Sequence, residues 1–252
     1  SGRDPAAEYA AGHVPGAVFL DLEATSDPAS PLPHMLLPPD RFGRRMSELG
    51  IGDDDHAVAY DGSGVNLSAP RLWWMLRTMG HDRVSVLDGG IGKWRSEGRP
   101  LDRGIVTRPA ARFTARLRED RVRDLAAMRA LLERGAEQVV DMRSAGRFAG
   151  SEPEPRPGLR GGHIPGSRNL PFNEVVTADG VMLPPDALRR RIEAAGIAPD
   201  RPVVATCGSG VSACAFVLAM HLVGRDDVAV YDGAWTEWGG RADTPLDTGG
   251  PD

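Results

Sequence analysis

One cysteine of the chain stands where its thiol could act as a nucleophile. Cys207 follows the β-branched run Val203–Thr206 and precedes a glycine- and serine-rich loop, which leads into an apolar stretch ending near Val223. A strand, a tight loop and a helix N-terminus together present backbone N–H groups that bind negative charge. Because such surroundings favour the thiolate, the reactive form of cysteine, we predict that Cys207 is a nucleophile. The loop residues expected to hold its substrate or its charged intermediate are Gly208, Ser209, Gly210, Val211 and Ser212.

The alternative interpretation of each cysteine is a small buried hydrophobic residue, which is a common role for an unpaired cysteine. For Cys207 the position at a strand end, among glycines, favours the nucleophile. Cys214 lies seven residues further on, within the predicted helix. Its side chain is expected to point away from the loop, so we predict a packed core residue there rather than a resolving thiol.

An internal repeat supports the special status of Cys207. Gly-His-Val-Pro-Gly at 12–16 returns as Gly-His-Ile-Pro-Gly at 162–166. Tyr-Asp-Gly-Ser-Gly-Val at 60–65 returns as Thr-Cys-Gly-Ser-Gly-Val at 206–211, so Asp61 occupies the position of Cys207. A position that differs while its neighbours are kept indicates a site.

Residues that both halves share are expected to serve the fold. His13 and His163 lie in the repeated Gly-His motif and are predicted to be structural. Asp88 and Asp232 each end an apolar run just before glycine, where a turn or cap role suffices.

The elements that must position these residues alternate between short apolar runs and helical patterns. This alternation is typical of a mainly parallel sheet with helices on both faces. We predict two tandem α/β domains of this kind, residues 1–105 and 121–252, joined by a linker over 106–120 that is rich in Pro, Gly and Arg. The predicted strands are Ala57–Tyr60, Val84–Leu87, Gln138–Met142, Val203–Thr206 and Val228–Tyr231; the predicted helices are Ser68–Met79, Asp124–Arg134, Pro185–Ala195 and Ser212–Val223.

Composition excludes several classes of protein. The 252 residues carry a formal net charge of −5 with no basic block, which argues against a nucleic-acid partner. No apolar run approaches the ~18 residues of a membrane span, and no cluster of Cys and His has zinc spacing. Two cysteines among 252 residues fit a reducing cytoplasm rather than a disulfide scaffold. We therefore expect a cytoplasmic protein without metal, nucleic-acid or membrane binding.

The sequence of the loop, Cys-Gly-Ser-Gly-Val-Ser-Ala-Cys at 207–214, resembles the active loop of the two-domain rhodanese family and, within it, of the 3-mercaptopyruvate sulfurtransferases. Further matches are the Gly-His motif of both halves, Ser-Ala-Pro-Arg-Leu-Trp-Trp at 68–74 and Arg-Phe-Ala-Gly-Ser-Glu-Pro-Glu-Pro-Arg at 147–156. The resemblance implies a catalytically silent first domain and a catalytic second domain. It also implies that the Cys207 thiolate takes a sulfur atom as a persulfide and passes it on, without a further cofactor.

The family's substrate contacts carry over to named residues. Arg147 and Arg156 match the arginines that grip the donor's carboxylate, a role for which a planar guanidinium is suited. Relatives that prefer thiosulfate have cationic residues directly after the cysteine, whereas this chain has Gly208 and Ser209. The expected donor is therefore 3-mercaptopyruvate, with thiosulfate as the alternative. The expected acceptor is a thiol, such as a thioredoxin-like protein, or cyanide.

A proton relay of acid, histidine and serine has been proposed for such enzymes. Ser209 and His34 match its last two members, and Glu23 stands at the acid position, where the family has Asp. Two other functions compete with sulfur transfer. A cysteine phosphatase would need an arginine six positions after the nucleophile, where this chain has Ala213. A non-catalytic binding module would not need Cys207.

Overall fold

The computed structural model describes residues 2–198 and 200–250. Its first half contains only two strands, which pair in parallel with Ala57 opposite Val84. Four helices surround them. In chain order the elements are α1 (Pro5–Ala11), α2 (Pro39–Glu48), β1 (Ala57–Ala59), α3 (Ala69–Thr78), β2 (Val84–Val86) and α4 (Gly90–Ser96).

The second half contains a five-stranded parallel sheet with the strand order β3-β7-β6-β4-β5. Its elements are β3 (Val122–Arg123), α5 (Leu125–Arg134), β4 (Gln138–Asp141), α6 (Ala145–Ala149), β5 (Arg168–Asn169), α7 (Pro185–Ala194), β6 (Val203–Thr206), α8 (Ala213–Leu222), β7 (Val228–Tyr231) and α9 (Ala234–Trp238). Short 3₁₀ helices occupy Glu119–Arg121 and Phe172–Glu174.

The central strands of this sheet are buried on both faces, as their continuous apolar runs predict. Alternate residues of β6 and β7 contribute to different cores, because side chains along a strand point to opposite faces. Val203, Ala205 and Val230 belong to the core packed by α7 and α8, and Val204 and Tyr231 to the core packed by α5 and α9. The prediction of helices on both faces of a parallel sheet is confirmed.

The larger core runs through both halves. α3 and α8 occupy equivalent places in the repeat and pack against each other. Trp73 and Trp74 of α3 and Phe216 of α8 are buried in one continuous apolar cluster. α8 is buried over eight of its ten residues, as its uniformly apolar sequence predicts. The two halves are therefore joined by a core in addition to the chain that links them.

The stretch predicted as a linker is fastened to the first half. Residues 106–118 form neither helix nor strand. The Arg112 carbonyl accepts a hydrogen bond of 2.8 Å from the Asp53 N–H, and the Arg116 N–H donates at 2.8 Å to the Met79 carbonyl. Phe113 is 8 % exposed and stacks edge-on with Phe42 of α2. This stretch thus helps to cover the first half.

The predicted strands and helices are all present, with ends displaced by at most one residue. Sequence analysis missed α1, α2, α4, α6 and α9 and the two-residue strands β3 and β5. Except for α2, these elements have seven residues or fewer, which is too short for a clear period. No helix in the described part of the chain has the length and apolar character that crossing a membrane requires.

Candidate active site

Cys207 lies between the carboxyl end of β6 and the start of α8, where ligands bind in parallel α/β sheets. Cys207 is 2 % exposed, so its side chain is almost fully buried. Gly210 has φ 77°, a left-handed conformation that glycine adopts without strain, and a Cβ atom there would lie 3.1 Å from the Asp232 carbonyl oxygen. The loop therefore packs tightly against Asp232, the residue that follows β7.

The hydrogen bonds of the loop leave its amides available. The carbonyls of Cys207 and Gly208 accept from the Trp235 and Thr236 N–H groups at 2.9 and 3.0 Å. In contrast, among the residues that the structure describes, none accepts a hydrogen bond from the five consecutive N–H groups of 208–212. A loop whose carbonyls are hydrogen-bonded while its amides are unpaired can act as an anion-binding cradle. The unpaired amides that such a cradle requires therefore lie in the loop that follows Cys207.

Ser209 is brought together with the two first-half residues predicted to act with it. His34 Nδ1 lies 3.1 Å from Ser209 Oγ, and His34 Nε2 lies 2.6 Å from Glu23 Oε1. Because a carboxylate can only accept, the proton of a neutral His34 stands on Nε2, which leaves Nδ1 to accept from the Ser209 hydroxyl. The His34 side chain is 14 % exposed and that of Glu23 is 71 % exposed, so the chain of contacts leads from the loop to solvent.

Arg147, on α6, lies beside the loop. Its Nη2 donates to Glu154 Oε2 at 2.6 Å, and a Cβ atom on Gly208 would lie 3.0 Å from the same nitrogen. The side chain of Arg147 is 24 % exposed, whereas that of Glu154 is 1 % exposed. Arg143 holds the other oxygen of Glu154, with Nη1 donating at 2.6 Å. Glu154 therefore orients Arg147 toward the loop while part of its guanidinium stays accessible.

Arg156, the second predicted grip, is half-buried. Across residues 2–198 and 200–250, no carboxylate lies within ion-pairing distance of its guanidinium. Its charge is therefore not neutralised within the described protein, which suits an arginine that binds an anionic ligand.

Cys214 is fully buried in the core, as predicted. Its Sγ donates to the Gly210 carbonyl at 3.3 Å. Burial raises the pKa of this thiol to about 12, in spite of the nearby Arg71 guanidinium. A thiol that holds its proton this strongly is a poor nucleophile.

The interpretation of Asp88 and Asp232 as turn residues was incomplete. Asp232 Oδ2 accepts from the Leu36 N–H at 2.7 Å, and Asp88 Oδ1 accepts from the Met182 N–H at 2.8 Å. Each half thus uses its strand-end aspartate to hold a loop of the other half. Sequence analysis could not show this, because a strand-end Asp before glycine looks the same when it caps its own turn.

Sequence analysis also left out three charged residues near the site. Arg71 of α3 is 0 % exposed and pairs with Asp232 across the two halves, with 2.8 Å between Nη1 and Oδ1. Arg143 and Arg147 both donate hydrogen bonds to the Glu154 carboxylate, which thereby orients Arg147. The signal for Glu154 was available, since it lies between Arg147 and Arg156 in the motif quoted above.

The two repeated histidines have structural contacts. His13 Nδ1 lies 3.0 Å from the Tyr9 carbonyl oxygen, and His163 Nδ1 lies 2.9 Å from the Phe148 carbonyl oxygen. Each ring also stacks on an aromatic side chain, Tyr9 or Phe148. These equivalent contacts explain why both halves keep the motif.

Two parallel α/β units, with a cysteine loop in one of them, are the architecture of the two-domain rhodanese-like proteins. The sequence profile described as "Rhodanese-like domain" matches residues 3–97 and again residues 124–241, and the chain belongs to the rhodanese family. Its similarity to curated relatives shows that it is a two-domain sulfurtransferase. The 3-mercaptopyruvate sulfurtransferase of Escherichia coli K12 is 44% identical over 97% of this chain and 86% of its own length.

Two further comparisons bear on fold and donor. The crystal structure of SseA from E. coli, described as a 3-mercaptopyruvate sulfotransferase, matches with a TM-score of 0.84 and 41% identity, covering 92% of this chain and 87% of that one. The thiosulfate sulfurtransferase of Bos taurus is 43% identical over 95% of this chain and 82% of its own length. The predicted family, fold and enzyme class are confirmed.

Proposed function

We propose that this protein transfers sulfur from 3-mercaptopyruvate to a thiol through a persulfide on Cys207. The observation that carries the proposal is the cradle, whose five amides, 208–212, have no acceptor within the described protein. A persulfide anion on Cys207 is the acceptor that these amides need. The absence of a cationic side chain at Gly208 and Ser209 favours a donor with one negative charge over doubly charged thiosulfate.

In the first half-reaction the Cys207 thiolate attacks the sulfur of HS–CH2–CO–COO⁻. The S–S bond forms as the S–C bond breaks, and the bonding electrons leave on the enolate of pyruvate. The proton of the donor's thiol ends on the carbon of pyruvate, and the persulfide Cys–S–S⁻ remains. This is covalent catalysis, with atoms and charge in balance.

The transfer of that proton is the step for which Ser209, His34 and Glu23 are suited. His34 Nδ1 can take a proton through the Ser209 hydroxyl and return it to the leaving group, since the two atoms are 3.1 Å apart. Glu23, 2.6 Å from Nε2, stabilises the cationic imidazole in between. Glu carries the same carboxylate as Asp, so this departure from the family keeps the chemistry.

The carboxylate of the donor is assigned to Arg147 and Arg156. Arg147 already shares one charge with Glu154, which is buried between Arg147 and Arg143. With Arg143 balanced by Asp141, and Arg147 by Glu154, the charge of Arg156 is the one left over in this motif. One positive charge suits a monoanionic carboxylate.

In the second half-reaction an acceptor thiolate attacks the outer sulfur and restores the Cys207 thiolate. A thioredoxin-like dithiol would release hydrogen sulfide and become a disulfide; cyanide would become thiocyanate. Neither course needs a further cofactor. Both require a reduced Cys207, and we propose a reducing compartment such as the cytoplasm, consistent with two unpaired cysteines.

The proposal is tested by intact mass spectrometry after incubation with 3-mercaptopyruvate and no acceptor. The expected product is protein heavier by one sulfur atom, about 32 Da, with one pyruvate released per chain. Cys207→Ser should show neither, while Cys214→Ser should show both. Pyruvate release by Cys207→Ser at the parental rate would falsify the assignment of the nucleophile.

Thiosulfate is the second candidate donor, because the bovine thiosulfate sulfurtransferase is about as similar as the mercaptopyruvate enzymes. Both donors would give the same persulfide, so mass alone does not separate them. The ratio of kcat/KM for the two donors does, since this ratio defines specificity. We expect it to favour 3-mercaptopyruvate; a ratio favouring thiosulfate would replace the donor and keep Cys207.

A further inference from the structure

Arg71 is a buried cation that touches the active loop from the other half of the molecule. It lies on α3, is 0 % exposed, and stacks over the ring of Trp74 with 4.5 Å between the guanidinium carbon and the ring centre. Burial of a guanidinium is costly unless the charge is paired. Asp232, 2.8 Å away and 4 % exposed, supplies the counter-charge.

Besides this ion pair, Arg71 makes hydrogen bonds to two backbone carbonyls. Nη2 donates to the His34 carbonyl at 2.5 Å, and Nη1 donates to the Gly210 carbonyl at 3.3 Å. His34 belongs to the first half, and Gly210 follows Ser209 in the active loop. One side chain therefore connects the backbone of His34 with the backbone next to Ser209.

His34 needs such a restraint. Its φ of 61° is in the left-handed region, which is unfavourable for a residue other than glycine. The Arg71–Asp232 pair holds this segment at two points: Arg71 binds the His34 carbonyl, and Asp232 binds the Leu36 N–H at 2.7 Å. The same pair fixes where the imidazole meets the Ser209 hydroxyl.

We propose that Arg71 is a positioning residue for the proton relay, acting through its bond to the His34 carbonyl. The inference rests on the proposed function, in which His34 and Ser209 move the proton of the donor's thiol. It assigns Arg71 an effect on one donor only. Transfer from thiosulfate releases sulfite and leaves Cys–S–S⁻ with no proton to move, so it does not depend on where His34 lies.

The test is Arg71→Lys, which keeps a buried positive charge near Asp232 and loses the planar fork that reaches both carbonyls. We expect kcat with 3-mercaptopyruvate to fall by about tenfold or more, as is typical when a catalytic group is displaced by a fraction of an ångström to 1 Å. The kcat with thiosulfate, measured under conditions where persulfide formation limits the rate, should change by less than about twofold. Equal losses for both donors would overturn the proposal.

Two controls separate this role from a general effect on the fold. Arg77→Lys changes another arginine of α3, which contacts Asp226 and His221 of the second half at 3.2 and 3.0 Å but not His34. It should leave the ratio of the two kcat values unchanged. In a His34→Ala background, Arg71→Lys should cause little further loss with 3-mercaptopyruvate; an additional loss as large as in the parent protein would also overturn the proposal.

The outcome is distinguishable from failure of the proposed function. If 3-mercaptopyruvate forms no persulfide on the parent protein, the donor assignment fails whatever Arg71 does. If the persulfide forms and His34→Ala slows its formation, while Arg71→Lys does not, only the inference about Arg71 fails. Should Arg71→Lys fold poorly, the paired replacement Arg71→Met with Asp232→Asn removes both charges and keeps an oxygen that can accept from the Leu36 N–H. Compared with Asp232→Asn alone, it supports the same measurement.

Discussion

The loop around Asp61 and the loop around Cys207 are two copies of one structure with opposite contents. Gly64 and Gly210 are equivalent and both left-handed, with φ of 85° and 77°. In the first half the Asp61 carboxylate accepts from the N–H groups of Ser63, Ser68 and Ala69 and from the Ser63 hydroxyl, at 2.5–3.1 Å. In the second half the equivalent amides are those of Ser209, Cys214 and Ala215, of which the last two donate to the Val211 and Ser212 carbonyls. The Ser209 N–H and its neighbours in 208–212 have no partner within the described residues.

The two copies of the repeat share one property of this loop. Both loops gather backbone N–H groups around one side chain, and these groups favour negative charge. In the first loop the Asp61 carboxylate accepts the hydrogen bonds of these N–H groups, so they are not available to another anion. The second loop has the Cys207 thiol instead, and its amides at 208–212 stay unpaired. Under the proposed function, the anion is the Asp61 carboxylate in the first half and the Cys207 persulfide in the second.

The largest expected effect comes from making the second loop resemble the first. Cys207→Asp should place a carboxylate against the free amides and abolish sulfur transfer, a loss of at least about a thousandfold as for other covalent nucleophiles. Because the amides gain an acceptor, unfolding in urea should require no less denaturant than for Cys207→Ala. A clearly lower midpoint for the Asp variant would show that the second loop does not bind a carboxylate as the first one does.

The converse change removes the carboxylate of Asp61 from the first loop. Asp61→Ala leaves the N–H groups of Ser63, Ser68 and Ala69 without their acceptor, and we expect the free energy of unfolding to fall by about 2–4 kcal/mol. The catalytic rate of the folded enzyme should stay unchanged, because Asp61 contacts nothing in the active loop. Denaturant titration and kcat measure the two effects, and Ser63→Ala, which removes only the hydroxyl, is the milder control. A loss of activity without a loss of stability would contradict the assignment of a purely structural role.

The smallest effect concerns equivalent aspartates after α3 and α8. Asp82 and Asp226 both face Arg77, at 3.7 and 3.2 Å. The Arg118 guanidinium lowers the pKa of Asp82. Burial alone would raise the pKa of Asp226, but its hydrogen bond with His221 and the charge of Arg77 lower it.

A lowered pKa in the folded state means stability that is present above the unfolded pKa of about 3.9 and lost as pH falls through the folded value. Both carboxylates are half exposed, so Asp82→Asn and Asp226→Asn should each cost only about 1 kcal/mol or less at pH 7. The difference from the parent protein should shrink below pH 4, as followed by thermal unfolding. A cost that does not change with pH would assign the effect to packing and not to charge.

Several features of this protein could be predicted because they depend on local sequence. The strands β6 and β7 agree with the prediction residue for residue, since short runs rich in β-branched and apolar residues between turn residues are typical of buried strands. Cys207 could be predicted because the Gly-Ser-Gly turn is a local signal and the first half provided an internal comparison. α2 could have been found from its Pro-Pro-Asp start, which places proline at the first helical position.

What sequence alone determined, then, is the candidate nucleophile, the parallel fold that carries it and the pairing of a cysteine loop with an aspartate loop. Tertiary structure alone decided how distant residues reach this loop: the grouping of His34 and Glu23 with Ser209 was expected only from the family resemblance, and the contact of Arg71 was not expected at all. His34 reaches Ser209 from 175 residues away, and Arg71 reaches Gly210 from 139 residues away. No periodicity encodes such contacts, because they arise only when α3 and α8 pack and bring the two halves together. The physical reason is that a buried charge such as Arg71 is stable only beside Asp232, so the same packing that covers the core also sets the geometry of the active loop.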